Sequence, residues 1–166
     1  MGDIGETYSG LTGKSAPDFG HGDARFVTYM NVYKNTIADP DLVESVEIDN
    51  RQRVVEFGDV LFTTSSETPE EVAMSSVWLE NKPNMYLNSF CFGFRPGIRI
   101  DPYYLAFLLR APVFRKQAIV LAQGISRYNI SKGKVMDITI PLPNNTEQTR
   151  IGHFFKTLDE SIALHQ

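Results

Sequence analysis

Residues 124–134 form the densest group of side chains in this sequence that could bind nucleic acid. The run G-I-S-R-Y-N-I-S-K-G-K combines hydroxyl, amide, aromatic and cationic groups. In the major groove an arginine suits guanine and an asparagine suits adenine, a tyrosine can stack or contact phosphate, and lysines neutralise phosphates. The candidate DNA-binding residues of this segment are Ser126, Arg127, Tyr128, Asn129, Lys132 and Lys134.

Two earlier polar segments, at 9–22 and 63–68, offer related chemistry. Glycines at 10, 13, 20 and 22 would let backbone N–H groups of the first segment approach phosphates, and the hydroxyls of the second could donate to phosphates or base edges. Their candidate DNA-binding residues are Thr12, Lys14, Ser15 and His21 in the first segment and Thr64, Ser65 and Ser66 in the second. The alternative is that these side chains are simply solvated, because polar loops occur on every protein surface.

The sequence lacks the patterns that usually accompany catalysis. It has no G-x-G-x-x-G or G-x-x-x-x-G-K-[ST] phosphate loop and no G-x-S-x-G nucleophile turn. His21, His153 and His165 have no metal-binding spacing, and the single cysteine, Cys91, lies in an apolar run typical of a buried strand. We therefore expect no catalytic residue, no metal and no cofactor in this chain.

Charge is distributed unevenly along the sequence. The formal net charge is -4, yet residues 81–136 hold nine of the 16 lysines and arginines, with Asp101 as their only acid. Residues 37–80 hold 11 of the 20 acidic groups. A basic face could meet phosphate while an acidic face meets water or another protein. The alternative is that the two segments pair with each other in the fold.

The elements that would position the polar segments predict an α+β fold. A mixed-sheet domain is expected over residues 1–144, and a coiled-coil-type helix over residues 145–166. Asp101 and Pro102 suit the start of a helix that breaks near Pro112. A short helix is expected at 41–46, loops are expected at 8–24, 65–71 and 124–131, and strands at 25–33, 52–57, 60–64, 77–79, 85–95 and 138–143.

The last segment carries the clearest local signal. Asn145 or Thr146 could cap a helix whose apolar positions alternate in spacing between four and three residues. This seam comprises Ile151, Phe155, Leu158 and Ile162, and continues to His165. It suits a partner or dimer helix, and the alternative is an amphipathic helix that packs on its own domain.

The N-terminus has neither the basic start nor the apolar core of a signal peptide, and no apolar run is long enough to span a bilayer. We therefore expect a cytoplasmic protein with no membrane partner.

Ordered motifs across the chain resemble the specificity subunits of type I restriction–modification systems. They are GDVLFTTSSETPEE at 58–71, NSFCFGFRP at 88–96 and a long match at 124–162. The long match contains I-T-I-P-L-P, then E-Q-x-x-I at 147–151 and L-D-x-x-I at 158–162. The opening SGLTGKSAPDFGHGDARFVTYMNVYKN is also similar to the start of many target-recognition domains.

The resemblance implies a non-catalytic subunit that recognises a double-stranded DNA sequence. In that family, methyltransferase subunits bring S-adenosylmethionine and methylate adenine, and a restriction subunit cuts DNA. A full subunit has two recognition domains joined by two long helices, whereas this sequence has one domain and one short helix. The sequence could be a natural half-subunit, a truncated gene or an excised domain, and a half-subunit could form a homodimer through its C-terminal helix. The alternative is a protein-interaction or assembly module with the same fold and no DNA reading.

Overall fold

The computed structural model describes residues 1–165. The order of the strands and α-helices is β1 (Gly5–Ser9), β2 (Phe19–Val27), α1 (Tyr29–Lys34), β3 (Val43–Val46), β4 (Val60–Thr63), β5 (Ser65–Ser66), β6 (Ser75–Val77), β7 (Met85–Leu87), β8 (Cys91–Pro96), α2 (Pro102–Leu108), α3 (Pro112–Leu121), β9 (Tyr128–Asn129), α4 (Lys132–Met136) and α5 (Asn145–Ala163). Short 3-10 helices cover Gly2–Ile4, Ala16–Asp18 and Pro69–Glu71. Within this described part, no helix combines the length and hydropathy needed to cross a bilayer.

The strands form three sheets. The largest is antiparallel, with the order β1-β8-β4-β6. The second has the order β3-β2-β7, in which β2 runs antiparallel to β3 and parallel to β7. The third is the β5–β9 pair. The expectation of an α+β fold with a mixed sheet and a C-terminal helix is therefore confirmed.

The large sheet lies between helices α2 and α3 on one side and the second sheet with α1 on the other. On β4, Val60 and Phe62 belong to the cluster that contains Leu105 and Phe114 of α2 and α3. Leu61 points the other way, into a cluster with residues of β2 and β7. Successive strand residues face opposite sides of a sheet, so this one strand joins both hydrophobic cores.

Three arginines of the basic segment are engaged internally, two of them with backbone carbonyls and one with acidic side chains. Arg110 donates to the carbonyls of Val32, Tyr33, Asn35 and Ser75, and Arg115 donates to those of Glu70, Val72 and Ala73. Desolvation by burial lowers the pKa of Arg110 to about 10. Arg95 pairs with the buried Asp59 at 2.8 Å and with Glu56 at 2.7 Å. The alternative that the basic and acidic segments pair in the fold is thus partly correct. The basic segment does not form one continuous exposed face.

The predictions for residues 8–46 need correction. The expected loop at 8–24 already contains the end of β1 and the start of β2, which bulges between Phe19 and Ala24. The expected strand at 25–33 ends at Val27, because the Thr28 hydroxyl accepts from the Asn31 N–H and starts α1. The helix expected at 41–46 is wrong, since its β-branched valines pair with β2 as β3.

Two predicted strands are extended chain whose backbone groups bond to side chains or isolated partners. At 138–143, Gln117 bonds both backbone groups of Thr139, while the Tyr104 hydroxyl donates to the Pro141 carbonyl. Prolines at 141 and 143 lack the N–H that a ladder needs. At 52–57, the Val55 N–H donates to the Met85 carbonyl without forming a strand.

Other boundaries shift by smaller amounts. The strand at 60–64 is confirmed as β4 and the break at Pro112 as the junction of α2 and α3, whereas the strand at 77–79 is observed at 75–77. The strand predicted at 85–95 is two strands that lie in different sheets. The loops expected at 65–71 and 124–131 contain β5, a 3-10 turn and β9.

Helix α5 docks on α2 through its first two turns. Its cap is Asn144, whose side chain accepts from the Glu147 N–H, rather than Asn145 or Thr146. The buried Gln148 accepts from the Asp101 N–H and donates to the Pro143 carbonyl. Gly152 lies so close to α2 that a Cβ atom would meet the Tyr104 nitrogen at 2.6 Å.

Candidate nucleic-acid interface

Strands β5 and β9 join two of the three polar segments that the sequence singles out. Ser65 pairs with Asn129, and Ser66 pairs with Tyr128. We call this β5–β9 pair the ribbon. It is anchored next to the paired residues, because the Ile130 N–H donates to the Thr64 carbonyl at 3.0 Å and the Ile130 side chain is buried. Four of the predicted DNA-binding residues therefore pair on one small sheet, and Thr64 adjoins it.

Residues 124–128 form a closed loop at the end of this ribbon. The backbones of Gln123 and Asn129 exchange two hydrogen bonds, of 2.9 and 2.8 Å. Gly124 has a φ of 148°, and a Cβ atom there would lie 2.0 Å from the Arg127 carbonyl oxygen. Only glycine permits this close approach. Ser126 and Arg127 are exposed on the loop.

Arg127 also borders a cleft of about 360 Å³ between the ribbon and α1. The cleft combines one cation with carboxylate, hydroxyl and aromatic groups. Other residues that line it are Tyr29, Met30, Ser65, Glu67 and Phe90. Such a mixture can donate to guanine, accept from the amino group of cytosine and contact bases through their faces.

Glu71 orders the floor of this cleft. Its carboxylate accepts from the Tyr33 hydroxyl and from the Ser66 hydroxyl at 3.3 Å. The Tyr33 hydrogen bond is the main cause that lowers the pKa of Glu71. The Tyr29 hydroxyl donates to the Ser65 carbonyl at 2.8 Å, so α1 holds β5 directly.

The lining of a second cavity, of about 330 Å³, includes one predicted DNA-binding residue from each of the three segments, namely Thr12, Thr64 and Lys132. The Lys132 ammonium donates to the Ser9 hydroxyl at 2.6 Å, which links the first and third segments. Lys134 lies on the same short helix, α4, and its side chain is exposed.

The remaining residues of the first segment make contacts within that part of the chain. Lys14 lies 3.5 Å from the Asp49 carboxylate and its side chain is largely buried. Ser15 caps a 3-10 turn with Asp18, and His21 lies 2.9 Å from Glu47. The Arg51 guanidinium beside Asp49 holds the pKa of that carboxyl well below its usual range. The structure brings Thr12 to the other two segments, but it does not bring Lys14, Ser15 or His21 to the cavities described above.

Several lining residues were not identified from the sequence. Glu67 falls in the loop expected at 65–71, and Tyr29 and Tyr33 fall in the strand expected at 25–33. Phe90 is 65% exposed although it lies in an apolar run. No local pattern distinguishes these residues, because their positions depend on contacts between distant segments, such as the Tyr29–Ser65 and Tyr33–Glu71 hydrogen bonds.

The predicted seam of α5 is partly open to solvent. Phe155 lies against Phe107 of α2 with ring centroids 5.5 Å apart. The exposed fractions of Ile151, Phe155, Leu158 and Ile162 run from 38% to 49%, and His165 is also exposed. The packing alternative therefore holds for the first turns of α5, whereas Leu158 and Ile162 are partly exposed.

No metal-binding group of three or more His, Cys, Asp or Glu side chains occurs among residues 1–165. Burial raises the pKa of the Cys91 thiol far above its ordinary value, and this cysteine packs in the core as expected.

The fold is that of specificity subunits from type I restriction–modification systems. The HsdS subunit from Thermoanaerobacter tengcongensis is 17% identical, with a TM-score of 0.66 over 98% of this chain and 37% of that chain. The S subunit from M. genitalium is 14% identical, with a TM-score of 0.59 over 95% of this chain and 37% of that chain. This chain thus spans less than two fifths of the length of these relatives. No curated protein sequence matches it.

The family model described as the type I restriction modification DNA specificity domain matches residues 1–166. The chain belongs to this family, which confirms the resemblance carried by the motifs.

Proposed function

We propose that this chain reads a double-stranded DNA sequence as the specificity subunit, or half-subunit, of a type I restriction–modification system. The observation that carries the proposal is the cavity lined by Thr12, Thr64 and Lys132, where the three polar segments meet. Family membership supports DNA over the alternative of a pure assembly module. Reading DNA also implies a cytoplasmic location.

The ribbon divides naturally into base-reading and phosphate-binding groups. Arg127 and Asn129 carry the planar hydrogen-bonding groups suited to guanine and adenine, and Ser126 and Tyr128 flank them. Lys132 and Lys134 present point charges from α4 and suit phosphates. Ser65 and Ser66 position β9 by backbone pairing, and the half-buried Ser65 lies beside its surface while Ser66 is buried.

We further propose a division of labour between residues 1–144 and the helical segment 145–166. The recognition domain binds DNA and supplies no catalytic group, while methyltransferase and restriction subunits supply the chemistry. The exposed part of the seam, at Leu158 and Ile162, would contact a partner helix. The last residue of this range, Gln166, lies outside the described residues.

We propose that the recognition domain pairs with a second copy of itself through α5. Two copies joined by a two-fold axis would present identical ribbons to two half-sites, which favours a symmetric and interrupted target. Sedimentation analysis over a range of concentrations should show dimers. A monomer at high concentration would contradict this part of the proposal and leave DNA reading untouched.

The decisive experiment selects bound duplexes from a random DNA pool, using this protein alone and together with methyltransferase subunits of the same system. A consensus sequence and a steep fall of affinity with salt are expected. Complexes that retain DNA without any sequence preference would overturn the proposal. Methyl transfer or DNA cleavage by the isolated chain would overturn the non-catalytic role.

A further inference from the structure

The tip of the closed loop carries an apolar side chain that no internal packing explains. Ile125 is 97% exposed, so it buries almost none of its surface in this fold. Its neighbours Ser126 and Arg127 are exposed and polar. An isolated apolar residue on a surface is common and needs no explanation by itself. Ile125 differs from other isolated apolar residues in the structure of the loop that carries it.

Those surroundings hold the loop in one shape. The Gln123–Asn129 hydrogen bonds close its base, and β5 pairs with its outgoing strand. The Asn129 side chain donates to the Arg127 carbonyl at 3.3 Å across the turn. Because the backbone is ordered by these bonds, the loop presents Ile125 with little further loss of conformational entropy.

We propose that Ile125 is a specificity-determining residue that recognises the C5-methyl group of a thymine in the major groove. This inference rests on the proposed DNA reading and adds a base and a contact to it. The thymine methyl is the one apolar group that the major groove exposes, and the groove admits a two-stranded ribbon of this kind. The minor groove exposes no methyl group, so it offers nothing comparable to Ile125.

The position of Arg127 agrees with a contact between Ile125 and a thymine in the major groove. It lies two residues from Ile125 on the same loop, so a guanine contact and a thymine contact would fall on neighbouring base pairs. The polar groups of the ribbon would bond to base edges, and Ile125 would bury the methyl group between them.

The test compares the wild-type chain with Ile125→Ser on the duplex recovered by selection, replacing each thymine in turn by deoxyuridine. Deoxyuridine removes the methyl group and changes nothing else. At one thymine, the wild type should lose about three- to fivefold in affinity, as expected for one buried methyl group. Ile125→Ser should bind the thymine duplex more weakly by a similar factor and should not distinguish thymine from deoxyuridine there.

Two further variants control the comparison. Ile125→Val keeps a branched apolar surface and should retain the discrimination. Val120→Ser removes a side chain that is 82% exposed on α3, outside the ribbon, and should behave as the wild type. Thermal unfolding should show that all three variants remain folded, since neither side chain is buried.

The proposal is overturned if Ile125→Ser keeps the full discrimination at every thymine, or if the consensus contains no thymine that the wild type distinguishes from deoxyuridine. Either result leaves DNA reading intact. A wild-type chain that recovers no consensus overturns the proposed function and this inference together.

Discussion

Gly124 shows how one residue shapes the proposed DNA-reading surface. Its positive φ and the nearness of the Arg127 carbonyl leave no room for a side chain. The loop that displays Ser126 and Arg127 therefore depends on this glycine, even though Gly124 itself offers no group to bind DNA.

Gly124→Ala should disturb the loop and weaken sequence-specific DNA binding by about 1–3 kcal/mol, the usual cost of a strained backbone position. Global stability should change little, because residues 123–127 are exposed. Titration of the selected duplex and thermal unfolding provide the two measurements. Gly133→Ala is the matched control, since its Cβ would meet only the Ser131 hydroxyl, at 3.9 Å. Equal affinities for both variants would contradict the prediction.

Arg127 and Asn129 are expected to make base contacts. Arg127→Ala or Asn129→Ala should weaken binding to the selected duplex by about 1–3 kcal/mol and relax preference at single positions. Repeating the selection with each variant measures this directly. A uniform loss over all sequences would instead assign the mutated residue to phosphate contact. Asn129→Ala also removes the side-chain bond to the Arg127 carbonyl, so part of its effect would arise from the loop.

At the scale of elements, the junction between α2 and α5 sets the direction in which the C-terminal helix leaves the domain. Asp101 caps α2, accepting from the Tyr104 N–H, and also accepts from the Thr149 hydroxyl at 3.1 Å. Its N–H donates to Gln148. The helix cap and the helix–helix contact therefore share one residue.

Gly152→Ala should destabilise the fold by about 1–3 kcal/mol, because the added methyl group would press α5 away from the Tyr104 backbone and the Asp101 carboxylate. Chemical denaturation measures the change. Ser161→Ala, on an exposed face of the same helix, should stay within about 0.5 kcal/mol of the wild type. An unaltered free energy of unfolding in Gly152→Ala would show that α5 does not dock in solution.

The exposed part of the α5 seam should contact a second polypeptide chain. Leu158→Asp should abolish homodimers or partner complexes that use α5, because it buries a carboxylate in an apolar contact. The unfolding temperature of the monomer should hardly move, since Leu158 is 43% exposed. Sedimentation and calorimetry separate the two effects. Intact assembly would show that partners use another surface.

At the scale of the whole molecule, the position of each cation matters more than the net charge of -4. Arg95, Arg110 and Arg115 are engaged inside the protein and hold the two halves of the chain together. Lys132 and Lys134 lie on α4 beside the ribbon. These two groups of cations should respond differently to mutation.

Lys132→Ala or Lys134→Ala should weaken binding to all DNA sequences alike and reduce the slope of log K against log salt by about one for each lost phosphate contact. Arg110→Met should instead lower stability by about 3 kcal/mol, because several carbonyls lose a buried partner, and leave the slope unchanged. Salt titrations and denaturation distinguish the two outcomes. A flatter slope in Arg110→Met would mean that this arginine reaches DNA.

The sequence by itself determined the features that depend on near neighbours. The cap at Asp101, the break at Pro112, the heptad spacing of α5 and the polar chemistry of three segments could all be predicted within a few residues. The ordered motifs also identified the family. These features can be predicted from the sequence because capping, helix periodicity and turn formation involve residues within about one or two helical turns.

Only the tertiary structure decided which of those groups act together. Ser65 and Asn129 become neighbours through strand pairing, whereas Lys14 and Arg110 are taken up by internal partners. Residues 138–143 have a strand-like sequence, yet side chains of α2 and α3 satisfy much of their backbone. Such contacts depend on the free energy of the whole packed chain, and so no local pattern could have specified them.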